Sequence, residues 1–180
     1  DGILFKNWRS AVKKFQFKKI IDKIGFKLAA LIYARSVFPL KAQELLFGDD
    51  SEYDATIYAL YADIRQEVFG RLRIANDQVD PQEILRCTQK LLDRILFCSF
   101  CEDRVLLPPN TVRHAFEHND PYNPRPIWEN FRGLFRSVDV GNAGLKIPAY
   151  NGGLFAHDAG LDTLAVPDEV CALFRDLADY

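Results

Sequence analysis

A chain of 180 residues in which 48% of the side chains are hydrophobic and 27% charged can bury one good core, or one core with a smaller lobe. No stretch approaches the roughly 18 uninterrupted apolar residues of a membrane span, and the start lacks a charged, apolar and cleavable signal, so a soluble, cytoplasmic chain is expected. Net charge is only -2, yet Lys6 to Lys27 holds eight basic residues against the single acid Asp22, a local +7 that leaves -9 for the remainder.

The first residue is Asp1 and the chain has no methionine, which predicts a piece excised from a longer protein. In the basic stretch, Val12, Phe15, Ile20, Ile24, Leu28 and Leu31 recur at helical spacing with lysines between, so residues 5–33 read as one or two helices with a break near Gly25. Residues 1–52 are thus expected to form a basic N-terminal helical segment, and residues 53–180 a second, helical region. The lysines fit either the solvated face of a helix docking on the acidic remainder, or a phosphate-neutralising surface. Under the second reading Lys13, Lys14, Lys18, Lys19, Lys23 and Lys27 are the candidate DNA-backbone contacts.

Pro39 and Gly48-Asp49-Asp50-Ser51 punctuate the chain, and from Tyr53 the series Ile57, Leu60, Tyr61, Ile64, Val68 predicts a helix ending near Gly70. Asp80-Pro81-Gln82-Glu83 reads as an N-cap with proline in the first helical position. Ile84, Thr88, Leu91, Leu92, Ile95 and Cys98 or Ser99 then share one face of a helix running to about Arg104. Pro108-Pro109 stops it, and the chain to Pro126 is expected to be irregular. Ile127, Phe131, Leu134 and Phe135 mark a short amphipathic helix. Residues 139–157, rich in glycine and turn formers, predict a loop or a small β-hairpin. Pro167-Asp168-Glu169 opens a last helix with Val170, Phe174 and Leu177 inward. The fold class expected is mainly α, a bundle-like set of helices with an irregular Gly/Pro-rich insert.

Several residue patterns bear on chemistry. Cys98 and Cys101 with His114 and His118 reproduce zinc-finger spacing, but both cysteines fall inside a periodic helix, and Pro108-Pro109 occupies the intervening segment where a finger needs its own helix. Buried helical cysteines and surface histidines are the expectation, so no metal ligand is assigned. Together with Cys87 and Cys171, these cysteines lie in apolar contexts that predict reduced thiols, unlike a secreted disulfide framework. Asp120-Pro121-Tyr122 lacks the second proline of the loop that holds a flipped base, and reads as an ordinary turn. Tyr150-Asn151-Gly152-Gly153-Leu154-Phe155 lacks the spacing and lysine of a phosphate loop. It predicts a structural turn in which Asn151 and Gly152 take positive φ so that Leu154 and Phe155 dock on the core. Glu102-Asp103-Arg104 reads as an ion cluster at a helix end. No serine or cysteine triad and no nuclease pattern is present, so no catalytic or cofactor-binding residue is assigned.

Two stretches carry a family likeness. They are Thr88-Gln89-Lys90-Leu91-Leu92-Asp93-Arg94-Ile95-Leu96-Phe97, continuing through Phe100-Cys101-Glu102-Asp103-Arg104 to Leu107-Pro108, and Pro148-Ala149-Tyr150-Asn151-Gly152-Gly153-Leu154-Phe155. Together they resemble the connector region of type IIG bifunctional restriction-modification enzymes and of related adenine-specific DNA methyltransferases, including those of phage-defence islands. Tyr58, Tyr61 and Arg65 are similar to the helix that precedes the connector core in that family, and the run to Leu177 is similar to the approach to the methyltransferase. The likeness covers residues 53–180; residues 1–50 are less recognisable. It implies a non-catalytic spacer between a nuclease and a methyltransferase acting on DNA. In that picture S-adenosylmethionine and Mg2+ belong to the parent enzyme, and no cofactor belongs to this piece.

Overall fold

The computed structural model describes residues 52–150 and 152–178, with side chains from Tyr61 onward. It is mainly helical and forms no strand among the described residues. Helices α1 (Glu52–Ala75) and α2 (Pro81–Asp103) are followed by α3 (Thr111–Glu117) and α4 (Ile127–Val140). A 3-10 turn (Ala143–Leu145), a short α5 (Ala159–Thr163) and α6 (Asp168–Ala178) complete the described chain. The expected helices over residues 5–33 lie outside the described residues.

α1 passes through Gly70, where a helix end was expected, and continues to Ala75. A glycine inside a helix costs only about 1 kcal/mol, whereas Val68 and Leu72, on either side of it, are fully buried. Packing therefore outweighs the local break. Termination falls instead to Asn76. Its side chain donates to Leu72 O at 2.8 Å and Ala165 O at 2.9 Å, and accepts from Ala165 N at 2.8 Å, so the end of α1 is tied to the strand of chain entering α6.

The apolar period of α2 becomes one buried stripe: Ile84, Cys87, Leu91, Leu92, Ile95, Cys98 and Cys101 are all buried. Pro81 starts the helix as expected, but the Asp80 side chain makes no cap hydrogen bond; its carbonyl accepts from Ile84 N at 3.0 Å. A short link of residues 76–80 turns α2 back along α1, and the two helices pack as an antiparallel hairpin.

The region expected to be irregular before Pro126 contains α3. Its cap is not local: the Glu102 carboxylate at the end of α2 accepts from Val112 N at 2.9 Å, and also from the N–H groups of Asn110 and Thr111. Trp128, Phe131, Leu134, Phe135 and Val138 of α4 are buried. Gly141 then turns the chain with φ +84°, bringing its backbone so near Ala149 that an added Cβ would lie 3.1 Å from Ala149 N. In place of a hairpin, the following segment forms an isolated antiparallel bridge between Asn142 and Ile147. α6 sits against α1, α2, α3 and α4, with Val170 and Phe174 fully buried and the Phe174 ring 5.5 Å from Phe131. No helix among the described residues is long and apolar enough to cross a membrane.

Candidate functional site

The returning segment 148–158 lies across α2 and α4, and aromatic packing holds it there. Phe97 projects from α2 into an edge-to-face pair with Tyr150, centroids 5.3 Å apart, and a second with Phe155 at 5.2 Å. Phe155 is itself buried and reaches Phe135 of α4 at 5.9 Å. Leu154 packs on the same core. Tyr150 bridges two helix ends: its N–H donates to Val138 O at 2.9 Å and its hydroxyl to Leu106 O at 3.0 Å. The turn itself is closed by Phe155 N donating to Gly152 O at 3.2 Å. Gly152 does not take the expected positive φ; among the described glycines Gly141 alone does. A turn closed through backbone at negative φ needs no left-handed residue there, and Asn151 lies outside the described residues.

Arg94 is the centre of this arrangement. Only 6% exposed, it sits on the apolar stripe of α2, where its Nε donates to Leu154 O at 2.8 Å and its Nη2 to Ala156 O at 3.0 Å. Its guanidinium lies 5.1 Å over the Phe135 ring and 5.7 Å over Phe155. Burial pulls its pKa below the usual value, while Asp158, Asp162 and Asp139 pull it back. A buried cation without polar partners would be expensive, so the carbonyls and ring faces that satisfy it also fix the path of residues 154–156.

The segment's far end is held by charge. Asp158 accepts from Arg86 Nη1 at 2.7 Å and Nη2 at 2.8 Å, takes Lys90 Nζ at 2.7 Å, and caps α5 through Leu161 N at 3.3 Å. The Arg86 guanidinium holds the Asp158 carboxyl well below the usual carboxylate range. Arg86 also pairs with Glu83 at 2.6 Å. Every member of this cluster is engaged with another, which suits an anchor.

The cysteines point the same way. Burial pushes the Cys87 and Cys171 thiols up to about 12 and raises those of Cys98 and Cys101, so none is poised as a thiolate. Cys98 and Cys101 face the core from α2, while His114 on α3 and His118 at its end are exposed, so the zinc-finger spacing is not gathered in space. No group of three or more His, Cys, Asp and Glu among the described residues could hold a metal ion. A shallow cleft of about 190 Å³, lined by Arg71, Ile74, Ala75, Pro167 and Glu169, lies at the end of α1, away from this segment. It is smaller than the roughly 300–1,000 Å³ of typical ligand pockets.

Asp120, Pro121 and Tyr122 form an exposed turn in which Tyr122 N donates to Asp120 Oδ1 at 3.0 Å. The hydroxyl of Tyr61 meets the amide of Gln89 across the α1–α2 interface, Arg65 is half-buried on α1, and Tyr58 lies within the same helix. The lysines at 13, 14, 18, 19, 23 and 27 lie outside the described residues. Sequence reasoning missed Arg94, Asp158 and Asn76. A signal existed for Arg94 alone, as a lone charge at helical spacing on an otherwise apolar face. Comparison with family models, with curated proteins and with solved structures gives no match to this chain.

Proposed function

We propose that residues 53–180 form a bundle-like helical connector of a DNA restriction-modification enzyme or a large adenine-specific DNA methyltransferase. In this reading the chain is a non-catalytic spacer that holds nuclease and methyltransferase modules at a fixed separation on DNA. One observation supports it above others. The two stretches that carry the resemblance, residues 88–108 and 148–155, are far apart in sequence yet pack on each other through Phe97, Arg94 and Tyr150. A spacer must transmit geometry with little slack, and a close-packed helical core locked to its Gly/Pro-rich insert suits that task. S-adenosylmethionine and Mg2+ would then bind the neighbouring modules.

The flanking sequence of the parent gene product tests this directly. A nuclease pattern upstream and a cofactor-binding motif downstream are expected. The purified chain, given duplex DNA, S-adenosylmethionine and Mg2+, should neither transfer a methyl group nor cut; turnover by the chain alone would sink the reading.

A second reading draws on the +7 charge of residues 6–27. There Lys13, Lys14, Lys18, Lys19, Lys23 and Lys27 contact nucleic-acid phosphates. Binding should then weaken with salt at a log-log slope of about -0.9 per phosphate contact. No binding of duplex DNA at low salt removes that reading and leaves the first in place.

A further inference from the structure

Asp158, Asp162 and Asp139 all act on the charge of Arg94, and two of them are already engaged. Asp158 is held by Arg86 and Lys90, and Asp162 by His157 Nδ1 at 2.7 Å with Arg132 Nη2 at 3.6 Å. Asp139 is different. Half-buried on α4, its carboxylate makes no hydrogen bond or ion pair among the described residues. A carboxylate partly withdrawn from water in the last turn of a helix is unfavourable twice over, through lost hydration and through the helix dipole.

Its position relates it to Arg94. Asp139 follows Phe135 by four residues on α4, and Phe135 is the ring over which the guanidinium lies at 5.1 Å. Residues four apart on a helix have Cβ atoms about 5–6 Å apart, so Asp139 stands one turn along α4 from the guanidinium, within the sweep of an arginine's outer torsions.

The present partners of Arg94 belong to a segment that little else holds between its ends. Leu154 O and Ala156 O lie in chain without regular structure, closed by the single bond from Phe155 N to Gly152 O, and Gly152, Gly153, Ala156 and His157 are exposed. Tyr150 and Asp158 pin the two ends, so the residues between them can lift without unfolding a helix. Lifting removes both carbonyls from Arg94 and draws Phe155 out of the core. Exposure of Phe155 keeps the lifted state rare, and the fate of the buried cation decides how rare.

We propose that Arg94 is a two-position latch. With the segment seated it donates to Leu154 O and Ala156 O; with the segment lifted it turns along α4 to pair with Asp139, uncovering the Phe97 and Phe135 ring faces that Phe155 now fills. The latch is a property of the described core and holds with or without a connector role.

Amide exchange across 152–157 in the full 180-residue chain tests it. Asp139→Asn removes the second position of the latch and leaves the first, so lifting becomes harder and exchange there should slow about fivefold. A carboxylate that only held Arg94 in its seat would give the opposite result, faster exchange. Asp139→Glu keeps the charge and should exchange as the wild type does. Asparagine at 139 also relieves the helix dipole of α4, and the Arg94→Met background separates that effect. There Asp139→Asn should leave exchange across 152–157 unchanged, because no cation remains to be caught. Exchange that is faster or unchanged in Asp139→Asn overturns the proposal. Slowing that persists in the Arg94→Met background, or that Asp139→Glu reproduces, overturns it as well.

Discussion

Asp158 and Glu102 both accept backbone N–H groups at the start of a helix, yet their surroundings drive their protonation in opposite directions. Around Asp158 the Arg86 guanidinium dominates, so its folded pKa falls below the ordinary 3.8. Around Glu102 burial dominates over the N–H groups of α3, so its folded pKa rises above the ordinary 4.5. A lowered carboxyl contributes stability that is present above its unfolded pKa and lost as pH falls toward the folded one. A raised carboxyl does the reverse: the folded state holds its proton longer, so stability declines as pH rises through the window above 4.5. The two windows do not overlap. We therefore expect denaturation midpoints measured from about pH 2 to pH 7 to rise through the acid range and then lose part of the gain above it. Asp158→Asn should flatten the lower limb, leaving the part contributed by Glu83, whose pKa Arg86 also lowers. Glu102→Gln keeps an oxygen for the α3 N–H groups and should flatten the upper limb. An unchanged lower limb in Asp158→Asn would assign that slope to other carboxyls.

The helices differ in how their ends and their continuity are decided. α1 survives Gly70 because Val68 and Leu72 anchor it on both sides, and nothing lies within 4 Å of a Cβ added there. Gly70→Ala should therefore stabilise the chain by about 0.5–1 kcal/mol, read as a raised denaturation midpoint. Gly160 in α5 is the opposite case. A Cβ there would lie 2.2 Å from Glu83 Oε1 and 2.6 Å from Arg86 Nη2, so Gly160→Ala must push both away and weaken the hold on Asp158. The roughly 0.5–1 kcal/mol gain expected at Gly70 should therefore be absent at Gly160 in the same assay, because the added methyl displaces the ends of two flexible side chains. These cases also mark what the sequence makes legible. α2, α4 and α6 could be read because their apolar residues recur at helical spacing over eleven residues or more. α3 and α5, at seven and five residues, carry too few periods, and α3 is capped by Glu102, ten residues upstream of Val112. The turn at 150–155 could be located from its glycines, but the Arg94 contacts that fix it span 60 and 62 residues. Long-range satisfaction of a buried charge leaves almost no local trace.

At the scale of the whole molecule, two kinds of attachment should respond differently to perturbation. Phe174 is fully buried against Phe131 on α6, the helix that touches α1, α2, α3 and α4. Its truncation removes packing that all of them share. Phe174→Ala should cost about 3–5 kcal/mol and lower the unfolding midpoint equally by helical and aromatic circular dichroism, because every probe reports one core. Arg94 instead joins that core to a segment of little regular structure. Arg94→Met keeps much of the stem in the apolar stripe but deletes the bonds to Leu154 O and Ala156 O, a loss of about 2 kcal/mol. Since Tyr150 and Asp158 still tether the segment at both ends, the loss should appear as local opening. Amide exchange across 152–157 should rise while exchange in α1 and α6 stays as in the wild type. If α6 opens as much as the segment does, the clamp and the core are one cooperative unit, and the chain has no hinge where that segment meets the core.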